Sequence, residues 1–162
     1  MKNELTVLKS IRHCKTIAKK LDEECKNLAL SSFCAVNFQN GTLGQMQAIA
    51  ELVYKRNLTE QYYETVVKAI GDMPSGYRAL MFAVYVKKTS KTELCQKYGV
   101  SLSTIYRKLE LSRKLFAKNL QNEGAEEEWF QKVYGALTKF YSALKNCTFD
   151  DAFDCYCNAL SD

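Results

Sequence analysis

The stretch that most constrains this chain is Thr89–Leu115, TSKTELCQKYGVSLSTIYRKLELSRKL. It holds two helix starts separated by one helix stop, in an order that leaves the connection little freedom. Ser90 followed by Glu93 is a capping box, in which the serine hydroxyl takes the Glu93 amide and the glutamate reaches back to the Ser90 amide. A helix should therefore begin at Lys91, bury Leu94 and Cys95, and end with Tyr98 packed against it. Gly99 can adopt the left-handed conformation that stops a helix without a Cβ penalty. Val100 is apolar and fills the corner, and Ser101 is placed to cap a second helix. On that second helix Ile105, Leu109, Ser112 and Leu115 fall at helical spacing and should pack inward. Leu102, Ser103, Tyr106, Arg107 and Glu110 then face outward. Two short helices joined by a tight turn are the expected result.

A basic, amphipathic second helix after such a turn fits the major groove of double-stranded DNA. Leu102, Ser103, Thr104, Tyr106 and Arg107 are the candidates nearest the bases. Lys108, Arg113 and Lys114 flank them within reach of phosphates, and Lys91 opens the first helix. Charge points the same way. Pro74–Leu120 holds ten Lys or Arg against two Glu, whereas Gln121–Asp162 holds three Lys against eight acids. The chain as a whole carries +5. A solvated helical face would explain the positive charge but not its coincidence with the turn. Binding driven by it should weaken steeply with salt.

Ile70–Leu120, IGDMPSGYRALMFAVYVKKTSKTELCQKYGVSLSTIYRKLELSRKLFAKNL, resembles region 4 of bacterial sigma factors. Met73-Pro74 stands where that family has Leu-Pro, and Arg78, Leu80 and Tyr85 take the basic and apolar positions of the helix that follows. Gly99-Val100-Ser101 matches its Gly-Ile/Val-Ser turn, and Ser103-Thr104-Ile105 its Ser-Thr-Val. Leu102 departs from the pattern, since a polar or charged residue is usual there. The resemblance covers about a third of the chain. It implies a DNA-binding helix-turn-helix and, because region 4 also contacts RNA polymerase, that enzyme as a second partner. With no basic, aromatic-rich stretch of the promoter-melting kind, the chain looks more like the sigma-like regulators of phages and mobile elements in Gram-positive bacteria.

The remainder reads as all-α. One Pro and seven Gly in 162 residues leave few breakers, and β-branched alternation is scarce. The expected architecture is a helical bundle with the helix-turn-helix and a C-terminal helical extension, in three consecutive segments at 1–57, 58–120 and 121–162. A long first helix, roughly Glu4–Ser31, carries Val7, Ile11, Cys14, Ala18, Leu21, Cys25 and Leu28 on a heptad seam. Such a seam packs either on a helix of its own chain or against a second copy as a homodimer. Asn37–Gly44 should form a loop, with Asn40-Gly41 a turn signal. One helix should follow over Leu43–Tyr54 and another from Leu58 through Ile70. After a linker at Gln121–Gly124, Glu126, Glu127 and Glu128 suit the first turn of a helix. Trp129, Phe130, Val133, Leu137, Phe140, Tyr141 and Leu144 make its apolar stripe, which suits either core or a docking face. Thr148 and Asp151 form a second capping box, before a last helix with Phe149, Phe153, Tyr156 and Leu160. The acidic extension is expected to form a helical cap that tempers DNA affinity, against the alternative of a hairpin that binds a partner.

Several classes find no support. No apolar run approaches the roughly 20 residues of a membrane span, so no membrane partner is expected. The charges scattered through MKNELTVLKSIRHCK do not suit a signal peptide, which points to the cytoplasm. Seven cysteines lack any Cys-x-x-Cys, His13 is the only histidine, and Cys147, Cys155 and Cys157 are the best cluster. Buried thiols are expected, with no metal and no cofactor. No phosphate loop or nucleophile elbow suggests an enzyme. The function expected is a DNA-binding transcriptional regulator. The alternative is a helical protein-interaction module whose helix-turn-helix is a degenerate structural corner.

Overall fold

The computed structural model describes residues 4–34 and 41–162 of the chain. They form seven α-helices, with no strand among the described residues: α1 (Glu4–Cys34), α2 (Gly41–Gly71), α3 (Ser75–Met81), α4 (Lys91–Tyr98), α5 (Leu102–Asn122), α6 (Glu128–Leu144) and α7 (Phe149–Ser161). A π-helical turn, Phe82–Val86, extends α3. The fold is all-α, as composition predicts.

Val7, Ile11, Cys14, Ala18 and Leu21, the first five positions of the seam on α1, are buried, whereas Cys25 and Leu28 are only half-buried. Leu8 and Ile17 are buried beside them. The apolar stripe is therefore wider than an a/d seam and is covered by the chain itself, as expected of a helix packed within a globular core.

The sequence predicts a loop through Gly44 and a break near residues 55–57. Instead α2 runs unbroken from Gly41 to Gly71; Asn37–Asn40 lie outside the described residues. No Pro or Gly interrupts Tyr54–Leu58, and long-range contacts hold the polar side chains there. Lys55 donates to Ser161 of α7 at 2.7 Å, and the Arg56 guanidinium donates to Asp22 of α1 at 2.6 Å. At the start of α2 the Gln45 amide donates to the Leu28 carbonyl at 2.6 Å. Such tertiary anchors override the weak helix propensity of the nearby glycines.

The chain divides into two compact units, and these cut across the three consecutive segments expected. One is built from the chain up to Arg12 together with Tyr63–Gln131, the other from His13–Tyr62 together with Lys132–Asp162. The reason is the length of α1 and α2, each of which contributes one end to each unit.

In the first unit Ile70, Met81, Leu94, Leu109 and Phe116 lie in the core. Asn119 of α5 donates to the Ala69 carbonyl of α2 at 3.1 Å, and Lys68 pairs with Glu123 at 2.6 Å. The expected linker is displaced by two to three residues: α5 continues to Asn122, the turn runs through Glu123 and Gly124 to Glu127, and of the three glutamates only Glu128 lies in the first turn of α6.

In the second unit Phe140, Phe153 and Tyr156 of the C-terminal segment are core, and Tyr141 and Phe149 are half-buried beside them. Phe140 meets Phe149 edge-on at 5.6 Å and Tyr156 at 6.5 Å between ring centroids, and His13 of α1 lies 5.5 Å from Phe140. Lys20 of α1 pairs with Asp150 at the start of α7. The capping box of Thr148 and Asp151 forms as read. The extension from Lys132 onward thus shares a core with α1 and α2 and is not a separate hairpin.

One buried polar pair lets donor and acceptor be assigned. The Thr59 hydroxyl donates to the Lys55 carbonyl at 2.7 Å and lies 2.7 Å from the Tyr156 hydroxyl. A threonine hydroxyl has one proton, so Tyr156 must donate to Thr59. Burial raises the Tyr156 pKa well above the usual phenol value, which keeps that proton in place. Thr59→Val strands the Tyr156 donor and should cost about 1–3 kcal/mol in urea unfolding, whereas Tyr156→Phe, which strands nothing, should cost distinctly less. Equal losses would overturn the assignment.

Candidate nucleic-acid interface

The helix-turn-helix forms at the positions the capping signals mark. The Glu93 amide donates to Ser90 Oγ at 3.2 Å and the Ser90 amide to Glu93 Oε2 at 3.0 Å, so α4 starts at Lys91. Gly99 closes it with φ 61° and ψ 34°. The Val100 amide donates to the Cys95 carbonyl at 3.2 Å. Ser101 Oγ then accepts the Thr104 amide at 3.3 Å and opens α5. A Cβ on Gly99 would meet no atom within 4 Å, so an alanine there pays only for its backbone conformation. Gly99→Ala should therefore cost about 1–2 kcal/mol in chemical denaturation, and Gly99→Asn less, because asparagine tolerates the left-handed region. Identical losses for the two would place the cost in packing instead.

The entry to this motif differs from a plain helix. The Lys87 amide donates to the Phe82 carbonyl at 2.8 Å, a π-type bond, and Lys88 takes φ 59° before the Ser90 cap. Opposite, Tyr85 is buried, and its hydroxyl accepts from Arg113 Nε at 3.1 Å. Arg113 is half-buried by this contact. Through this bond it braces the helix-turn-helix, in addition to its expected place at the flank of α5.

On α5, Ile105, Leu109, Ser112, Phe116 and Leu120 point into the core, and Ser112 satisfies its hydroxyl on the Lys108 carbonyl at 2.7 Å. Leu115, expected inside, is half-buried, because the helical period has rotated the stripe onto Phe116. The opposite face carries Ser103, Arg107, Glu110, Lys114 and Lys118, all exposed. Lys118 was missed by the sequence reading. Its signal was the spacing of seven and then four residues from Arg107 through Lys114. Glu110 pairs with Lys114 at 3.5 Å, both well exposed.

The other candidates have distinct settings. Leu102 and Tyr106 are exposed. Lys91 is half-buried and lies over the Tyr106 ring at 4.3 Å from its centroid, with Nζ donating to the Tyr106 hydroxyl at 3.3 Å. It orients Tyr106 through a cation–π contact and a hydrogen bond. Thr104 is half-buried, and its hydroxyl sits 3.0 Å from Ser101 Oγ; Ser103 Oγ is 2.9 Å from the same atom. Lys108 is exposed, about a quarter turn away from the Arg107–Lys114 line. Tyr98, expected to pack at the end of α4, is exposed.

Of the cysteine cluster, Cys147 and Cys155 are exposed and Cys157 is half-buried. Among the described residues no three His, Cys, Asp or Glu side chains come together as a metal site. Burial pushes the Cys14 thiol up to about 12 and the Cys157 thiol up to about 11, the latter against the opposing charge of Lys55. Both are protonated near neutral pH and poor nucleophiles. No described helix is long and apolar enough to cross a membrane.

No family model, curated protein or solved structure matches the chain.

Proposed function

We propose that this protein is a DNA-binding transcriptional regulator that inserts α5 into the major groove, as region 4 of a sigma factor would, and contacts RNA polymerase in the same role. The observation that carries this reading is the capped turn from Ser90 to Thr104 leading into a helix whose outward line is Ser103, Arg107, Glu110, Lys114 and Lys118, three of them basic. Tyr106, held by Lys91, and Arg107 supply base contacts, and Lys114 and Lys118 supply phosphate contacts. Basic side chains on one exposed helical line match the spacing of a groove and its rim.

The second reading, a protein-interaction module, draws on the same helix. Leu102, Tyr106 and Leu111 are large apolar side chains left exposed there. Selection of bound DNA from a random pool at about 150 mM salt separates the two, because backbone-only binding is suppressed at that ionic strength. Enrichment of one consensus supports the regulator. A pool that stays random favours the interaction module.

A further inference from the structure

The first half of α2 has an outward face that a solvated helix would not carry. Leu43 is 70% exposed, Met46 62% and Tyr54 54%, and Ala50 is exposed between them. These residues follow one another at three, four and four positions, so they form a single line along the helix. The same line continues as Asn57, Gln61 and Glu64, all exposed and polar. The apolar character thus stops after Tyr54 although exposure does not. Leu30 of α1 is 65% exposed, and the bond from Gln45 to the Leu28 carbonyl brings that end of α1 to the start of α2.

We propose that this line is a self-association surface, covered in solution by a second copy of the chain. Three observations select that occupant. The line has no charge of its own, and Glu51 at its edge is already engaged by Lys55 and Ser161, so the surface suits a neutral apolar partner and neither an acidic nor a basic one. Its size order is self-complementary. Read antiparallel against itself, Leu43 falls opposite Tyr54 and Met46 opposite Ala50, and both pairs share a midpoint near Ala48. The long Met46 side chain of each copy then has the small Ala50 to pack over, which is how a two-fold interface matches one patch to itself. Leu43, Met46, Ala50 and Tyr54 together offer on the order of 400 Å² per copy, so two copies with their rims approach the roughly 1,000 Å² a specific interface needs. The apolar seam of α1, the other candidate for self-association, is already buried within one chain.

This inference does not rest on DNA binding and is tested without DNA. Light scattering of the full chain under reducing conditions, at tens of micromolar, should give twice the chain mass of 18.5 kDa. Met46→Glu and, separately, Tyr54→Glu should each give the single-chain mass with unchanged far-ultraviolet dichroism, since both side chains are solvent-facing in one chain. Leu111→Glu, an equally apolar-to-acid change on α5, should leave the double mass intact. A single-chain mass for the parent protein overturns the proposal. So does a double mass that survives in both α2 variants, which would place the interface elsewhere. Should either glutamate variant lose helicity, Ala50→Arg, which keeps the apolar residues and blocks the Met46 contact, should still give the single-chain mass.

Discussion

Replacing Leu21 with lysine should destabilise the protein by about 3–5 kcal/mol and should not by itself release a subunit. Leu21 is fully buried on α1, among side chains of its own chain. Burying such a side chain is worth about 2–3 kcal/mol, which the substitution forfeits. The new ammonium must then lose its hydration without a partner or force the helix outward to reach water. For a chain of this length, 1 kcal/mol moves the melting temperature by roughly 2–4 °C, so a fall of about 10 °C or more is expected in a thermal scan followed by dichroism. A variant that keeps its melting temperature but halves its mass would show that α1 is an intermolecular seam after all. Leu21→Met, close in volume, should lose less than about 1.5 kcal/mol and serves as the control.

Arg107→Ala should weaken binding to the selected DNA site by about 1–3 kcal/mol, a loss of some ten- to hundred-fold, and should relax the base preference at one position. Arg107 lies on the outermost line of α5, and no described contact within the chain holds it. Its removal should therefore change stability by no more than about 0.5 kcal/mol, and the affinity loss cannot be ascribed to unfolding. Lys114→Ala and Lys118→Ala should weaken all sequences alike and lower the slope of affinity against salt by about one each. Arg113→Ala should behave differently: because Arg113 holds the buried Tyr85, stability should fall along with binding. Titration of a labelled duplex over a range of salt reads all four. Full affinity in Arg107→Ala would remove α5 from the groove and leave the protein-interaction reading standing.

The helix-turn-helix was legible because its signals are short-range. Ser90 with Glu93, Gly99, Ser101 with Thr104 and Thr148 with Asp151 each act within three or four residues, and the backbone amides they satisfy exist in any helix that starts or stops there. The outward positions of Ser103 and Arg107 followed from the helical period alone, whereas Lys114, read as a flanking residue, lies on the same outward line. Lys118 obeyed the same period and was passed over, although it lies on the same line of α5.

The misreadings share a different cause. Arg113 reads as a surface cation until Tyr85, 28 residues earlier, is brought beside it. Tyr98 reads as packed because aromatics prefer burial, yet it stays 46% exposed, with Lys97 lying over its ring. The polar side chains of Lys55 and Arg56 on the unbroken α2 are held by Ser161 and Asp22, which come from other helices. Arg56 in turn holds the Asp22 carboxyl below its usual pKa, chiefly by hydrogen bonding.

What the sequence determined by itself was therefore the helical class, the starts of α4, α5 and α7 and most of the apolar positions on α1, α5 and α6, since propensity, capping and periodicity are local properties of the chain. What only the tertiary structure decided was what covers each apolar face. Most of the seam on α1, and Phe130, Val133, Leu137 and Phe140 of the stripe on α6, proved to be core, whereas the line on α2 is left uncovered by its own chain. Periodicity records that a face is apolar, but burial depends on the three-dimensional path that brings distant segments together, and that path sets the partner.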